Sequence, residues 1–153
     1  MKKGFSAWQR WSERNRLAGM EFPGVYAIAL SEQDISNHEF SWIPEVIYVG
    51  MTNAQGGLKS RLRQFENTIG GGRVHGGAER IRFKYPDHHT LVSRLYVSIH
   101  PRECDVQSNR PYDLRIMGEV AQHEYECFAT FAERFNRLPE FNDKKKSPKK
   151  QRP

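Results

Sequence analysis

Cysteine is scarce in this 153-residue chain: only Cys104 and Cys127 occur. Two thiols make no disulfide framework, and the absence of any Cys-x-x-Cys pair excludes a zinc site built on cysteine pairs. A reducing, cytoplasmic setting is therefore expected. Long apolar runs are missing too. None approaches the ~20 residues that a membrane helix requires, so no membrane partner is expected. The opening stretch MKKGFSAWQRWSERNR is broken by charge every few residues and lacks the apolar segment of a signal peptide. There is no internal repeat.

What is present argues for one packed domain. Apolar residues make up 37% and aromatics 12% of the chain, above the disordered range. At this length roughly 68–70% of the unfolded surface can be buried. The net charge of +6 comes from 24 basic and 18 acidic residues, but it is unevenly placed. Six of the basic residues, Lys144, Lys145, Lys146, Lys149, Lys150 and Arg152, lie in the last ten. Without them, basic and acidic residues balance at 18 each. The sequence thus divides into an N-terminal helical extension (1–21), a neutral body (22–142) and a basic tail (143–153) expected to be disordered. Such a tail can hold phosphate backbones without sequence preference.

Patterning predicts a small α/β (α+β) domain: a central three-stranded mixed or antiparallel sheet flanked by helices. Residues 5–18 read as an amphipathic helix with Phe5, Trp8, Trp11 and Leu17 on one side. Val25–Leu30 and Val46–Val49 read as neighbouring strands. Leu58, Leu62 and Phe65 share a face of a helix over 58–67. Glycines at 70–72 and 76–77 flank a loop containing Arg73 and His75. Leu91, Leu95, Val97 and Ile99 alternate as in a half-buried strand, and residues 113–137 give the longest helical pattern.

Two charges break that pattern. Arg61 shares the inward face of its helix with Leu58, Leu62 and Phe65. Glu124 sits on the inward stripe with Val120, Ala121, Cys127 and Phe128. An unpaired buried charge costs several kcal/mol, so the two either pair, reach water, or have a chemical task.

The same residues carry a resemblance. Gly24-Val25-Tyr26 and Tyr48-Val49-Gly50 resemble the paired motif of the GIY-YIG nuclease superfamily. Leu58-Lys-Ser-Arg61 is similar to its arginine-bearing helix, Val120-Ala121-x-x-Glu124 to its glutamate helix, and Leu138-Pro139-Glu-Phe141-Asn142 to its terminal segment. The match spans roughly 22–142. It implies an endonuclease, a hydrolase that cuts phosphodiester bonds with Mg2+ (or Mn2+), acting on DNA first and RNA second. Glu124 would be the metal ligand and Arg61 the transition-state cation. Tyr26, Tyr48 and His75 would be the candidates for activating water, and Asn142 would position the tyrosine network or the phosphate. A phenol titrates near 10, so a tyrosine base needs positive charge beside it. Lys59, Arg63, Arg73, Lys144, Lys145 and Lys146 are candidate nucleic-acid contacts.

The chain departs from the family pattern in three places. The insert Ser31–Pro44 lengthens the hairpin between the motif tyrosines and is expected to form an extended tip that contacts DNA. Phe65 stands where many members carry a histidine or tyrosine. The step from Glu124 to Asn142 is long, which makes Glu119 and Glu126 rivals, although Glu126 points about 200° away from Glu124 on the helix. With so little chain outside the match, specificity is expected to come from the inserts, the N-terminal segment, a homo-oligomer or a partner. The alternatives are a binding module of the same fold without catalysis, or a protein-binding domain whose tail alone touches nucleic acid.

Overall fold

The run Val25–Leu30 is apolar on both alternating faces, as a strand covered on two sides must be. In the computed structural model, which describes residues 4–149, it is the centre of the molecule. Strands β1 (Gln9–Arg10), β2 (Gly24–Leu30), β3 (Val46–Thr52) and β4 (Leu95–Pro101) form one sheet in the order β1-β4-β2-β3. Every pairing is antiparallel. Tyr26 stands opposite Gly50 on one side and Ile99 on the other.

The sheet has four strands where patterning predicts three. The extra strand comes from the segment expected to be an amphipathic helix. There β1 pairs with β4 and runs into a 3-10 helix over Trp11–Arg16. Trp8 and Trp11 are 2% and 1% exposed, so their spacing reflects burial on opposite faces of the sheet rather than one helical stripe.

One face carries α1 (Gly57–Ile69), α2 (Gly76–Lys84) and the short α3 (His88–Val92). Leu58, Leu62, Phe65 and Ile81 pack there on Tyr26, Ile28, Val97 and Ile99. The other face carries α4 (Pro111–Phe135), whose Val120, Cys127 and Phe131 pack on Val25, Ala27 and Val49. Burial pushes the Cys127 thiol up to about 12, so it is a packing residue rather than a nucleophile.

Four further expectations are corrected. The strand expected over 91–99 begins at Leu95, and Leu91 instead sits in α3. The glycine loop ends at His75, because Gly76 opens α2. The insert Ser31–Pro44 contains no strand. It turns through Asn37, at φ 65°, and folds inward, so that Phe40 stacks on Phe5 and Trp42 meets Phe131 edge-on. The tail expected to be disordered returns to the body over residues 143–149. Ser147 is buried with its hydroxyl donating to the Asp143 carbonyl, and Lys149 lies 3.8 Å from Glu79. Lys150 and Arg152 lie outside the described residues. No described helix is long and apolar enough to cross a membrane.

Candidate active site

Alternation along β2 and β3 turns Tyr26 and Tyr48 to the same face, the one covered by α1 and α2. Their rings lie 6.1 Å apart. Gly50, directly across from Tyr26, is required by this arrangement: a Cβ there would overlap the Tyr26 hydroxyl. Gly77 meets the same demand on the other side, since a Cβ there would overlap the Tyr48 ring. Gly50 and Gly77 are thus the footprint of two phenols packed against backbone, while Gly24 is required by the close approach of the His100 carbonyl.

His75 is the third member. It was expected in a glycine-flanked loop and is instead fully buried as the N-cap of α2. Its Nδ1 accepts from the Ala78 amide at 3.2 Å, and its Nε2 lies 2.8 Å from the Tyr26 hydroxyl. An Nδ1 that accepts cannot carry the proton, so in the neutral ring Nε2–H donates to the Tyr26 oxygen. Burial and the nearby Arg61 lower the pKa of His75 to about 3, which keeps it neutral. It therefore cannot take a proton from Tyr26; it holds that oxygen from below. The loop before it is tied down twice. The His75 amide donates to Thr68 Oγ1 at 3.0 Å, and Arg82 donates to the Thr68 and Gly72 carbonyls at 2.9 and 2.6 Å.

Burial holds Tyr26 well above the ordinary phenol pKa, with Arg61 opposing the rise. Tyr48, only half-buried, is raised less strongly, again by burial and again against Arg61. Arg61 donates to Gln64 Oε1 at 2.9 Å, one turn along α1, which aims the guanidinium. Glu124 approaches from α4. Burial raises its pKa while Arg61 lowers it, and it accepts no hydrogen bond among the described residues. Arg61 and Glu124 are thus close enough to act on one another and on both tyrosines, yet no direct ion pair joins them.

The rival carboxylates fall away on geometry. Glu119 is engaged by Arg102 at 2.5 Å, and Glu126 is exposed on another side of α4. Asn142 uses both ends of its amide on Val49: its Oδ1 accepts from the Val49 amide at 2.9 Å, and its Nδ2 donates to the Val49 carbonyl at 2.8 Å. It closes the free edge of β3 as a neighbouring strand would, one residue from Tyr48. Its hold on the tyrosines runs through the strand, and its second Nδ2–H has no partner among the described residues.

Lys59 and Arg63 are two residues either side of Arg61, hence about 200° away around α1, and are exposed. Arg73, Lys144, Lys145 and Lys146 are exposed as well, and none of the six joins the tyrosine cluster. Two further cations approach it: Arg80, which the sequence reading missed and which acts on Tyr48 and His75, and Lys149, which that reading placed only in the basic tail. Arg80 lies in α2, whose weak amphipathic pattern conceals it as a helix, and Lys149 is one of many lysines in the tail.

Among the described residues, no three His, Cys, Asp or Glu side chains gather as a metal site. The donor set nevertheless fits Mg2+. That ion commonly takes one or two carboxylates and completes its shell with water and substrate phosphate oxygens. Glu124, half-buried and without a hydrogen-bond partner among the described residues, is the one carboxylate beside the tyrosines that could serve as such a ligand.

Comparison of the chain with protein-family models, with curated proteins and with solved structures returns no match.

Proposed function

We propose that this protein is a metal-dependent endonuclease of the GIY-YIG kind, acting on DNA. The observation that carries the reading is the convergence of Tyr26, Tyr48, Arg61 and Glu124 from four different elements, with the two opposite charges left unpaired. Half-buried charges held apart are costly, and a ligand seated between them would offset that cost. The phosphodiester is such a ligand, because it needs a cation on its oxygens and a carboxylate-bound metal beside it.

Each residue then has a task. Arg61, aimed by Gln64, neutralises charge that builds on the phosphate oxygens as water attacks phosphorus. Tyr48, the more accessible phenol, takes the proton of that water when ionised, and Arg61 favours its ionised form. Tyr26 and His75 form the floor that fixes Tyr48 in place. The new bond joins water oxygen to phosphorus, and the bond to the departing strand oxygen breaks, with that oxygen taking a proton from solvent. Glu124 would hold Mg2+ or Mn2+, which supplies further charge neutralisation at the phosphate.

The test is cleavage of supercoiled plasmid, single-stranded DNA and RNA, with and without Mg2+, by wild type and Glu124→Ala. Mg2+-dependent cutting of DNA that disappears in the variant supports the reading. A wild type that binds DNA and cuts nothing with any divalent metal replaces it with a non-catalytic binding module. A raised Tyr48 pKa adds a second expectation: the cleavage rate climbs with pH from about 7 to about 9, because the ionised fraction grows. A flat profile over that range excludes Tyr48 as the base.

A further inference from the structure

Arg80 stands one turn into α2, and Lys149 crosses the start of the same helix from the C-terminal segment. A Cβ built on Gly76 would find Lys149 Nζ at 3.3 Å and Arg80 Nη1 at 3.6 Å. The two cationic heads therefore share one small space, which a side chain at position 76 would fill. That space adjoins Gly77, against which the Tyr48 ring is packed, and Arg80 is near enough to Tyr48 and His75 to act on both.

The charges around it do not balance. Lys149 has Glu79 at 3.8 Å, a long and partly solvated pair. Arg80 makes no ion pair among the described residues, and Arg61, which acts on the same Tyr48 and His75, has none either. Like charges brought together repel, so a cluster of cations with one weak carboxylate partner is stable only if an anion or solvent fills it. A planar guanidinium beside a mobile ammonium is a set suited to phosphate oxygens.

We propose that Arg80 and Lys149 form a second phosphate subsite beside Tyr48, which holds a backbone phosphate adjacent to the scissile one on the bound nucleic-acid strand. The proposal rests on the nuclease reading and extends it in two ways. It makes α2 the element that sets the path of the strand. It also gives the C-terminal segment a defined task, through one lysine of a run that otherwise reads as diffuse positive charge.

The probe is a fluorescent DNA duplex titrated with Glu124→Ala protein, so that cleavage does not consume it, over a range of salt. Arg80→Gln and Lys149→Gln are added to that background separately, with Arg16→Gln as an exposed-charge control. Each subsite variant is expected to bind several-fold more weakly at low salt. Each should also reduce the slope of log affinity against log salt by about 0.9, the value for one lost duplex phosphate contact. Arg80→Lys should recover part of the loss, and Arg16→Gln should leave the slope unchanged. Lys149 lies in an exposed segment, so its variant reports on binding even if Arg80→Gln perturbs folding.

If Glu124→Ala protein binds DNA and both Gln variants keep its affinity and slope, the subsite is overturned while the nuclease reading stands. If wild type neither cuts nor binds nucleic acid, both fall together.

Discussion

The two faces of the sheet are both buried but built to different ends. Over α4 and the insert, Phe5, Trp8, Phe40, Trp42 and Phe131 pack ring against ring on Val25, Ala27 and Val49. Over α1 and α2, an equally apolar floor of Ile28, Leu62, Phe65 and Ile99 surrounds two tyrosines and a histidine, with Arg61, Arg80 and Glu124 at the margin. Aromatic packing needs no partner outside the chain. The second face concentrates polar groups whose charges are not matched within it, which is the pattern expected of a site rather than of a core. Even the histidines differ. His75 has both ring nitrogens engaged, whereas His100 on the other side leaves a buried Nδ1 unpartnered beside His123, at a ring separation of 4.8 Å.

If the aromatic face is there for stability, Phe131→Ala should cost about 3–5 kcal/mol, since it leaves a cavity under α4. Urea unfolding measures this, and a loss below about 1 kcal/mol would mean that α4 is held elsewhere. Arg61→Ala probes the opposite face. Cleavage should fall about 10²–10³-fold, the usual cost of removing one preorganised donor to developing charge, while the melting temperature changes little. A large loss of stability with cleavage retained would reassign Arg61 to the core.

The effect that is smallest per step of the experiment concerns pH. His75 is neutral in the folded state down to about pH 3, while the unfolded histidine titrates near 6.5. Between those values the unfolded chain binds the extra proton, so stability rises with pH across this window and is lost as pH falls through it. The slope is at most about 1.4 kcal/mol per pH unit for one group. His100, lowered to about 4 by burial and by His123, adds a smaller share on the aromatic face because its shift is smaller and it is less completely buried. His75→Gln should remove the larger share, read from urea titrations at several pH values below neutral. An unchanged slope would show that the two faces do not differ in this respect.

Much of the candidate site is legible along the chain because it obeys local rules. Tyr26 and Tyr48 lie in apolar runs of strand length, and Gly50 follows at the place where a phenol needs room. Arg61 and Glu124 stand out because helical periodicity puts them where apolar residues belong. The misreadings have the opposite cause. Strand β1 is two residues long and exists only through its pairing of Gln9 with Val97 and Arg10 with Tyr96. Nothing local distinguishes WQRWSERNR from a helix with aromatics three apart. The insert reads as a solvent-facing tip because its polar residues dominate, yet Phe40 and Trp42 are captured by Phe5 and Phe131, distant in sequence.

Composition and periodicity determined by themselves that this is an α+β domain with β2 and β3 as neighbouring strands, and which phenols and charges stand out in it. Periods of 2 and about 3.6 residues are properties of the backbone and need no partner to be read. The tertiary structure alone decided that His75 caps α2 beneath Tyr26, that Asn142 gives both its polar atoms to Val49, and that Lys149 comes back to Arg80. Each is a contact between segments far apart along the chain. Its free energy comes from desolvation and hydrogen-bond geometry in the packed molecule, and neither exists until the chain has folded.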